Sequence, residues 1–196
     1  MTEKEVKKAM SDDRGVLEYL IDMRDLSELI VDLAYSSVLL DDKELAKDVL
    51  ELEKKISKLN TEVQLKTILS RLPPEEAEGM VAVLQLAENT ERISNSARLI
   101  AEIVLKGMKK HPLVKEALMS GETGIYKSGV KKDAALIGKR IEELNLIEAA
   151  GMQLLAIKKK DGWHYMPTEA QQIEEGDLLL ITGPRENKKI LDKLLR

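Results

Sequence analysis

Lys109-Lys110-His111-Pro112 is where the chain changes character. A residue before proline is pushed out of the helical region, so a helix arriving from upstream must stop near Lys109-Lys110, whose charges suit a helix C-terminus. Upstream of the seam the chain has only Gly15, Gly79 and Gly107, whereas Gly121, Gly124, Gly129, Gly138, Gly151, Gly162, Gly176 and Gly183 crowd the stretch beyond it. Glycine is costly inside helices and useful where φ must be positive, so the upstream part reads as long helices and the downstream part as short elements joined by tight turns. The expected domains are residues 1–111 and 112–196.

Working toward the N-terminus, Pro73-Pro74 breaks the apolar period, and Glu75-Glu76 places negative charge where a helix begins, so a helix is expected from about Pro74 to Lys109. Before it, Leu45, Val49, Leu52, Ile56, Leu59 and Val63 alternate steps of four and three, keeping one apolar seam toward a partner helix, with Asp41-Asp42 as cap. A first helix, capped by Ser11-Asp12-Asp13 and ending near Leu40, is expected to carry Leu17, Leu20, Ile21, Ile30, Leu33, Ala34 and Val38 inward. Short connections make neighbours antiparallel, which predicts a three-helix bundle.

Toward the C-terminus, a short helix is expected over Leu113–Leu118, a strand over Ile125–Val130, and an amphipathic helix over Leu136–Leu144 with Ile137, Ile141 and Leu144 on one face. Gly151–Lys158 reads as a strand, Asp161-Gly162 as a hairpin turn, and Trp163–Met166 as its partner. Leu178–Thr182 is a continuous apolar run, suited to burial on both faces. After Gly183-Pro184 a last helix is expected, anchored by Ile190, Leu191 and Leu194. The predicted fold class is therefore an antiparallel three-helix bundle followed by a small α+β domain.

Composition narrows the functions. The 196 residues contain no cysteine and two histidines, His111 and His164, which excludes thiolate nucleophiles, thiolate zinc sites and a His-rich metal cage. There is no G-x-G-x-x-G fingerprint and no P-loop. The net charge of −4 supplies no general attraction to nucleic acid. No window approaches the roughly 20 apolar residues of a spanning helix, so no direct membrane insertion is expected. An enzyme is not expected.

From Ile125 onward the chain resembles the TrkA-C, or RCK-C, regulatory module of potassium-transport proteins. The pattern is carried by Ile137-Gly138-Lys139-Arg140-Ile141-Glu142-Glu143-Leu144, by Gly151-Met152-Gln153-Leu154-Leu155-Ala156-Ile157, by Met166-Pro167, and by Ile173-Glu174-Glu175-Gly176-Asp177 leading into the apolar strand. Asp177 is placed to close its turn onto backbone donors. From about Gly15 to Met108 the chain resembles the PhoU family, on Leu40-Asp41-Asp42-Lys43-Glu44-Leu45 at the start of the second helix and Glu88-Asn89-Thr90-Glu91-Arg92-Ile93-Ser94-Asn95 within the third.

The regulatory resemblance implies a small ligand at a dimer interface near the loop after the first helix, here Asn145–Gly151. The residues it points to are Arg140, Asn145, Leu146, Ile147, Lys158 and Pro167. Nucleotide-binding members carry an arginine and a stacking group in that loop, where this chain offers Ile147 and Ala150, so Arg140 or Lys158 would have to grip phosphate instead.

The PhoU resemblance implies metal binding through acidic helix motifs. Glu28 and Asp32 stand four apart on one helical face, and Glu88 and Glu91 share another with Asn95, where the family has an aspartate. Arg24, Arg92 and Arg98 flank these groups, and an ion-paired seam is the competing reading. In the hairpin, His164 is read either as a packed strand residue or as a ligand contact, and Lys158-Lys159-Lys160 either as a solvated tip or as an anion contact.

Together the resemblances imply a cytoplasmic regulatory subunit of a cation transport system, with potassium the expected ion. It would be a homodimer held at the inner face of the membrane by a transporter, responding to a nucleotide or other small effector or to a divalent cation. The alternative is a metal-binding adaptor modulating phosphate uptake or divalent-cation transport.

Overall fold

The computed structural model describes residues 13–70, 73–109, 111–132 and 134–195. The chain divides into two compact units, Met1–Lys109 and Lys110–Arg196.

In the first unit, α1 (Val16–Leu40), α2 (Lys43–Leu69) and α3 (Pro74–Leu105) each pack on the other two. The cap expected at Ser11 and Asp12 lies outside the described residues; the observed start is Gly15, whose N–H donates to Glu18 Oε2 at 3.0 Å. The inward face of α1 is Tyr19, Met23, Leu26, Leu29, Ile30, Leu33, Ala34 and Val38. Leu17 and Ile21, expected inward, are 65% and 40% exposed, because the core stripe begins at Tyr19 and these two fall outside it. The Tyr19 ring lies 4.4 Å beneath the Arg14 guanidinium.

Asp42 caps α2, with Oδ1 accepting from the N–H groups of Glu44 at 3.0 Å and Leu45 at 3.1 Å. All six members of the expected α2 seam, Leu45 to Val63, are buried. The core face of α3 is narrow: Ala87, Ser94, Ala97, Ala101 and Val104 let its backbone approach the partner helices. The helix stops at Leu105 rather than Lys109. Gly107 adopts φ +63°, its N–H bonds Val104 O, and the Met108 N–H bonds Ile103 O, closing the last turn before the His-Pro seam is reached.

In the second unit, α4 (Pro112–Met119) is followed by an antiparallel sheet of order β1-β4-β2-β3. The strands are β1 (Thr123–Gly129), β2 (Gln153–Lys159), β3 (Gly162–Tyr165) and β4 (Leu178–Pro184). β4 is central, pairing Tyr126 with Ile181 on one side and Ile157 with Leu179 on the other, so Leu179, Leu180 and Ile181 are buried as their unbroken apolar run requires. The hairpin loop is Lys160-Asp161, one residue earlier than expected; Gly162 opens β3 at φ +126°.

The helix expected over Leu136–Leu144 is absent. Gly138 turns the chain at φ +83°, and its N–H bonds Ile173 O; Lys139 O accepts from Ile173 N–H, and Ile141 N–H bonds Gln171 O. These backbone groups are spent on the segment before β4, leaving only a 3-10 turn, Ile141–Leu144. Helix instead forms where a loop was expected, as α5 (Leu146–Ala150). Gly151 ends it at φ +60°, which delays β2 to Gln153. Arg185–Asn187 forms a second 3-10 turn and α6 spans Lys188–Leu194; Leu191 anchors it, while Ile190 is 40% exposed and faces out.

Candidate functional site

The second unit contains a cavity of about 400 Å³. One wall is Ile141 and Glu142 of the first 3-10 turn, followed by residues 145–148 at the start of α5. Met152, Gln153 and Leu154, where β2 begins, line it as well. Met166, Pro167 and Glu169, in the segment leaving β3, complete the lining.

Local backbone chemistry places these walls. Asn145 sits at φ 51°, so the chain reverses between the 3-10 turn and α5, and Arg140 N–H is held by Glu143 Oε2 at 2.6 Å. A β-bulge falls between Leu154 and Ala156, where the strand register shifts. The Leu155 carbonyl of that bulge accepts the N–H of Met166 at 2.8 Å. Met166 has φ 44°, a conformation a non-glycine side chain adopts only where its surroundings hold it. The bulge and this residue turn the chain so that Pro167 and Glu169 face the 3-10 turn, with Glu142 N–H donating to Glu169 O at 3.1 Å.

The expected ligand residues divide. Asn145, Leu146, Ile147 and Pro167 line the cavity together. Arg140 lies beside it and donates from its Nη1 to Glu142 Oε1 at 3.0 Å. Lys158 is not among the lining residues; it sits on β2 with its ammonium 6.0 Å from the Trp163 ring. The reading by residue missed Glu142, Glu148 and Glu169, three carboxylates of the lining. Glu142 stands inside the quoted Gly-Lys pattern and Glu148 inside the quoted loop, but their convergence with Glu169 depends on the turn at Met166.

Below the sheet's other end, Asp177 is buried and Lys159 is 13% exposed at its side chain. Asp177 Oδ2 accepts from Glu174 N–H at 2.8 Å and from Lys159 Nζ at 2.9 Å, the turn closure expected of that carboxylate. Burial pulls the Lys159 ammonium down, but the hydrogen bonds and charges of Asp177 and Glu174 outweigh it and hold the group above its ordinary value. His164 Nε2 lies 2.9 Å from Asp161 Oδ1, and the hydrogen bond to His164 holds the Asp161 carboxyl below its ordinary value. The hairpin histidine is thus engaged by its own turn.

In the helical unit Glu28 is exposed, and burial together with the Glu28 charge raises the pKa of Asp32. Glu88 pairs with Arg92 at 2.6 Å. Glu91 accepts a hydrogen bond from Asn60 Nδ2, and Asn95 Nδ2 reaches back to Glu91 O at 3.3 Å. Asn60 Oδ1 and Glu62 Oε2 are buried without a hydrogen-bond partner among the described residues. Glu102 bonds Lys106 and Arg98; the Lys106 hydrogen bond leads in holding its carboxyl below the ordinary range. Among the described residues no three His, Cys, Asp or Glu side chains are grouped to hold a metal ion. No helix among them is long and apolar enough to cross a membrane.

The fold is thus a three-helix bundle followed in sequence by a small α+β unit that holds a cavity. The PhoU domain matches residues 20–104 and the TrkA-C domain matches residues 129–195. No curated protein matches it. Among solved structures it is similar to the RCK_C domain dimer of S. agalactiae BusR in complex with c-di-AMP, at 26% identity over 36% of this chain and 92% of that one, with a TM-score of 0.33. The KtrA RCK C domain in complex with c-di-AMP gives 20% identity over 42% and 94%, at 0.34. The GsuK channel bound to NAD gives 21% over 60% at 0.35, and this chain spans 21% of that one. S. agalactiae BusR with its busAB-promotor DNA is 16% identical over 86% and 95%, at 0.33.

Proposed function

We propose that this chain is a non-enzymatic regulatory subunit of a cation transport system, with potassium the expected ion, whose C-terminal unit binds a small effector in the cavity lined by residues 141–169. The observation that supports this most is the position of the cavity: every residue of its lining falls within the stretch matched by the TrkA-C domain. The protein acts as a homodimer on a membrane-embedded transporter, and the helical unit supplies the docking surface. Effector binding regulates transport only through differential affinity for two arrangements of the assembly, because a ligand with equal affinity for both shifts nothing. Asn145, Leu146, Ile147 and Pro167 are the contact residues in this reading, with Arg140 acting through Glu142.

The metal-binding adaptor has less support, because Glu88 and Glu91 already engage Arg92 and Asn60. Nucleic acid is left out on the net charge of −4. Potassium or rubidium uptake in a strain lacking this chain tests the proposal. Altered flux, restored by the wild-type chain and not by Ile147→Trp at the cavity mouth, is expected; unchanged flux in the deletion strain overturns it.

A further inference from the structure

Helix α3 carries more apolar surface than its bundle uses. Its buried face, Ala87, Ser94, Ala97, Ala101 and Val104, meets the other two helices, and on the α2 side Glu91 bonds Asn60 while Arg98 lies 3.9 Å from Glu53. Beside that face runs a second stripe: Ala82, Leu86, Asn89, Ile93, Ser96 and Ile100, continued by Gly79 and Ile103 at its ends. Its steps alternate three and four without a break, the spacing that holds one seam toward a partner helix over a length of about 36 Å. Yet Leu86 is 58% and Ile93 48% exposed, and Ala82, Asn89 and Ser96 are open to solvent. A regular apolar stripe left in water marks an interaction surface.

The composition of the seam says which partner fits it. Gly79 and Ala82 stand near its start, Ile100 and Ile103 near its close, with Leu86 and Ser96 between them. Laid antiparallel on a second copy about a twofold axis at residue 91, Gly79 falls opposite Ile103, Ala82 opposite Ile100, Leu86 opposite Ser96 and Asn89 opposite Ile93. Each of the three small residues then meets a large one, as close packing requires; a parallel pair would set small on small at one end and isoleucine on isoleucine at the other. The two Asn89 amides come about 6 Å apart along the axis, near enough to bond each other and fix the register.

Charge gives the same direction. Glu88 and Arg92, paired at 2.6 Å within one helix, flank the axis, so two such pairs meet head to tail. Glu75 and Glu78, exposed at the start of α3, come beside the end of the other copy, where Lys106 and Lys109 are exposed. A parallel pair would set acid on acid and base on base at those ends.

We infer that the α3 seam is a self-association surface, on which a second copy of this chain lies antiparallel about a twofold axis near residue 91. This surface is separate from the ligand-binding cavity of the C-terminal unit and does not depend on the effector reading.

The chain has no cysteine, so introduced thiols report on this seam alone. In the antiparallel register positions 82 and 100 of two copies face each other, whereas within one helix they are about 27 Å apart, far beyond the roughly 7 Å that Cα atoms of a disulfide can span. Full-length protein carrying both Ala82→Cys and Ile100→Cys should form a disulfide-linked dimer on mild oxidation, and neither change alone should do so. Leu86→Asp or Ile93→Asp, at exposed positions outside the bundle core, should each cut the yield of linked dimer about tenfold or more, with the circular dichroism spectrum and urea midpoint unchanged.

A linked dimer from Ala82→Cys alone would mean parallel pairing and overturns the inference. So does a double variant that stays monomeric on oxidation, or one whose linking survives both aspartate substitutions. Thiols that stay open to maleimide in the purified double variant, and become shielded only when native membrane vesicles are added, would give the seam to a membrane partner and overturn it too. An interface in the C-terminal unit does not by itself set position 82 against position 100, so failure here leaves the proposed function standing.

Discussion

At the scale of single residues, the most constrained group in the C-terminal unit is the Asp177 carboxylate. One oxygen takes both the Glu174 N–H and the Lys159 ammonium in a place shielded from water, so its removal leaves that N–H without its acceptor and Lys159 with only the Glu174 carboxylate, at 3.3 Å. Asp177→Ala should destabilise this unit by about 3 kcal/mol in urea unfolding, the cost of breaking a buried pair from one side. Asp177→Asn keeps an acceptor for Glu174 N–H and should cost only about 1–2 kcal/mol. Because the folded state raises the Lys159 pKa, its share is fully present below the ordinary lysine value and is lost as pH rises through the folded one; the gap between wild type and Asp177→Ala should narrow there. Equal stability of wild type and Ala variant at neutral pH would show that the contact contributes nothing. This residue was legible from sequence, since Glu-Gly-Asp before an apolar run needs a side chain to close the turn. The cavity glutamates were not legible, because a carboxylate on a short turn looks like any solvated charge until the opposite wall is in place.

At the scale of elements, the close approach of β4 to the α5–β2 corner carries the cavity. A Cβ added at Gly183 would meet Met152 Cγ at 2.6 Å, Met152 Cα at 2.9 Å and the Gly151 carbonyl oxygen at 3.0 Å. Two of these are backbone atoms and cannot swing aside. Gly183→Ala should therefore cost about 1–3 kcal/mol and displace Met152 from the cavity wall. The control is Gly129→Ala, where nothing lies within 4 Å, and a shift below about 0.5 kcal/mol is expected. A urea midpoint for Gly183→Ala matching that of Gly129→Ala would show that the corner has room to relax.

Elements with long, regular periods were readable: α2 follows its apolar steps, and β4 follows its unbroken run. The stretch Leu136–Leu144 was not, because its helical spacing is real but its backbone groups are claimed by Gln171 and Ile173, partners some thirty residues away. Local pattern cannot report such competition.

At the scale of the molecule, each unit has a core of its own. In the second, Met152, Ile157, Ile173, Leu179 and Ile181 form a continuous buried cluster with Leu136, Leu144 and Leu191. Residues 111–196 expressed alone should unfold cooperatively in urea, with a slope of about 1–2 kcal/mol per molar, and keep the sheet signature in far-ultraviolet circular dichroism. A broad, non-cooperative transition would mean that this core needs the helical unit to complete it.

By itself the sequence determined the change of architecture near Pro112, the three long helices with the cap at Asp42 and the proline start at Pro74, and the central apolar strand. These rest on periodicity, proline and capping, which act within a few residues of chain. Only the tertiary structure decided where α3 stops, that Leu136–Leu144 turns instead of coiling, and that Glu142, Glu148 and Glu169 surround one cavity. Those outcomes depend on hydrogen bonds and close approaches between segments far apart in the chain, and burial, not local preference, sets which of them win.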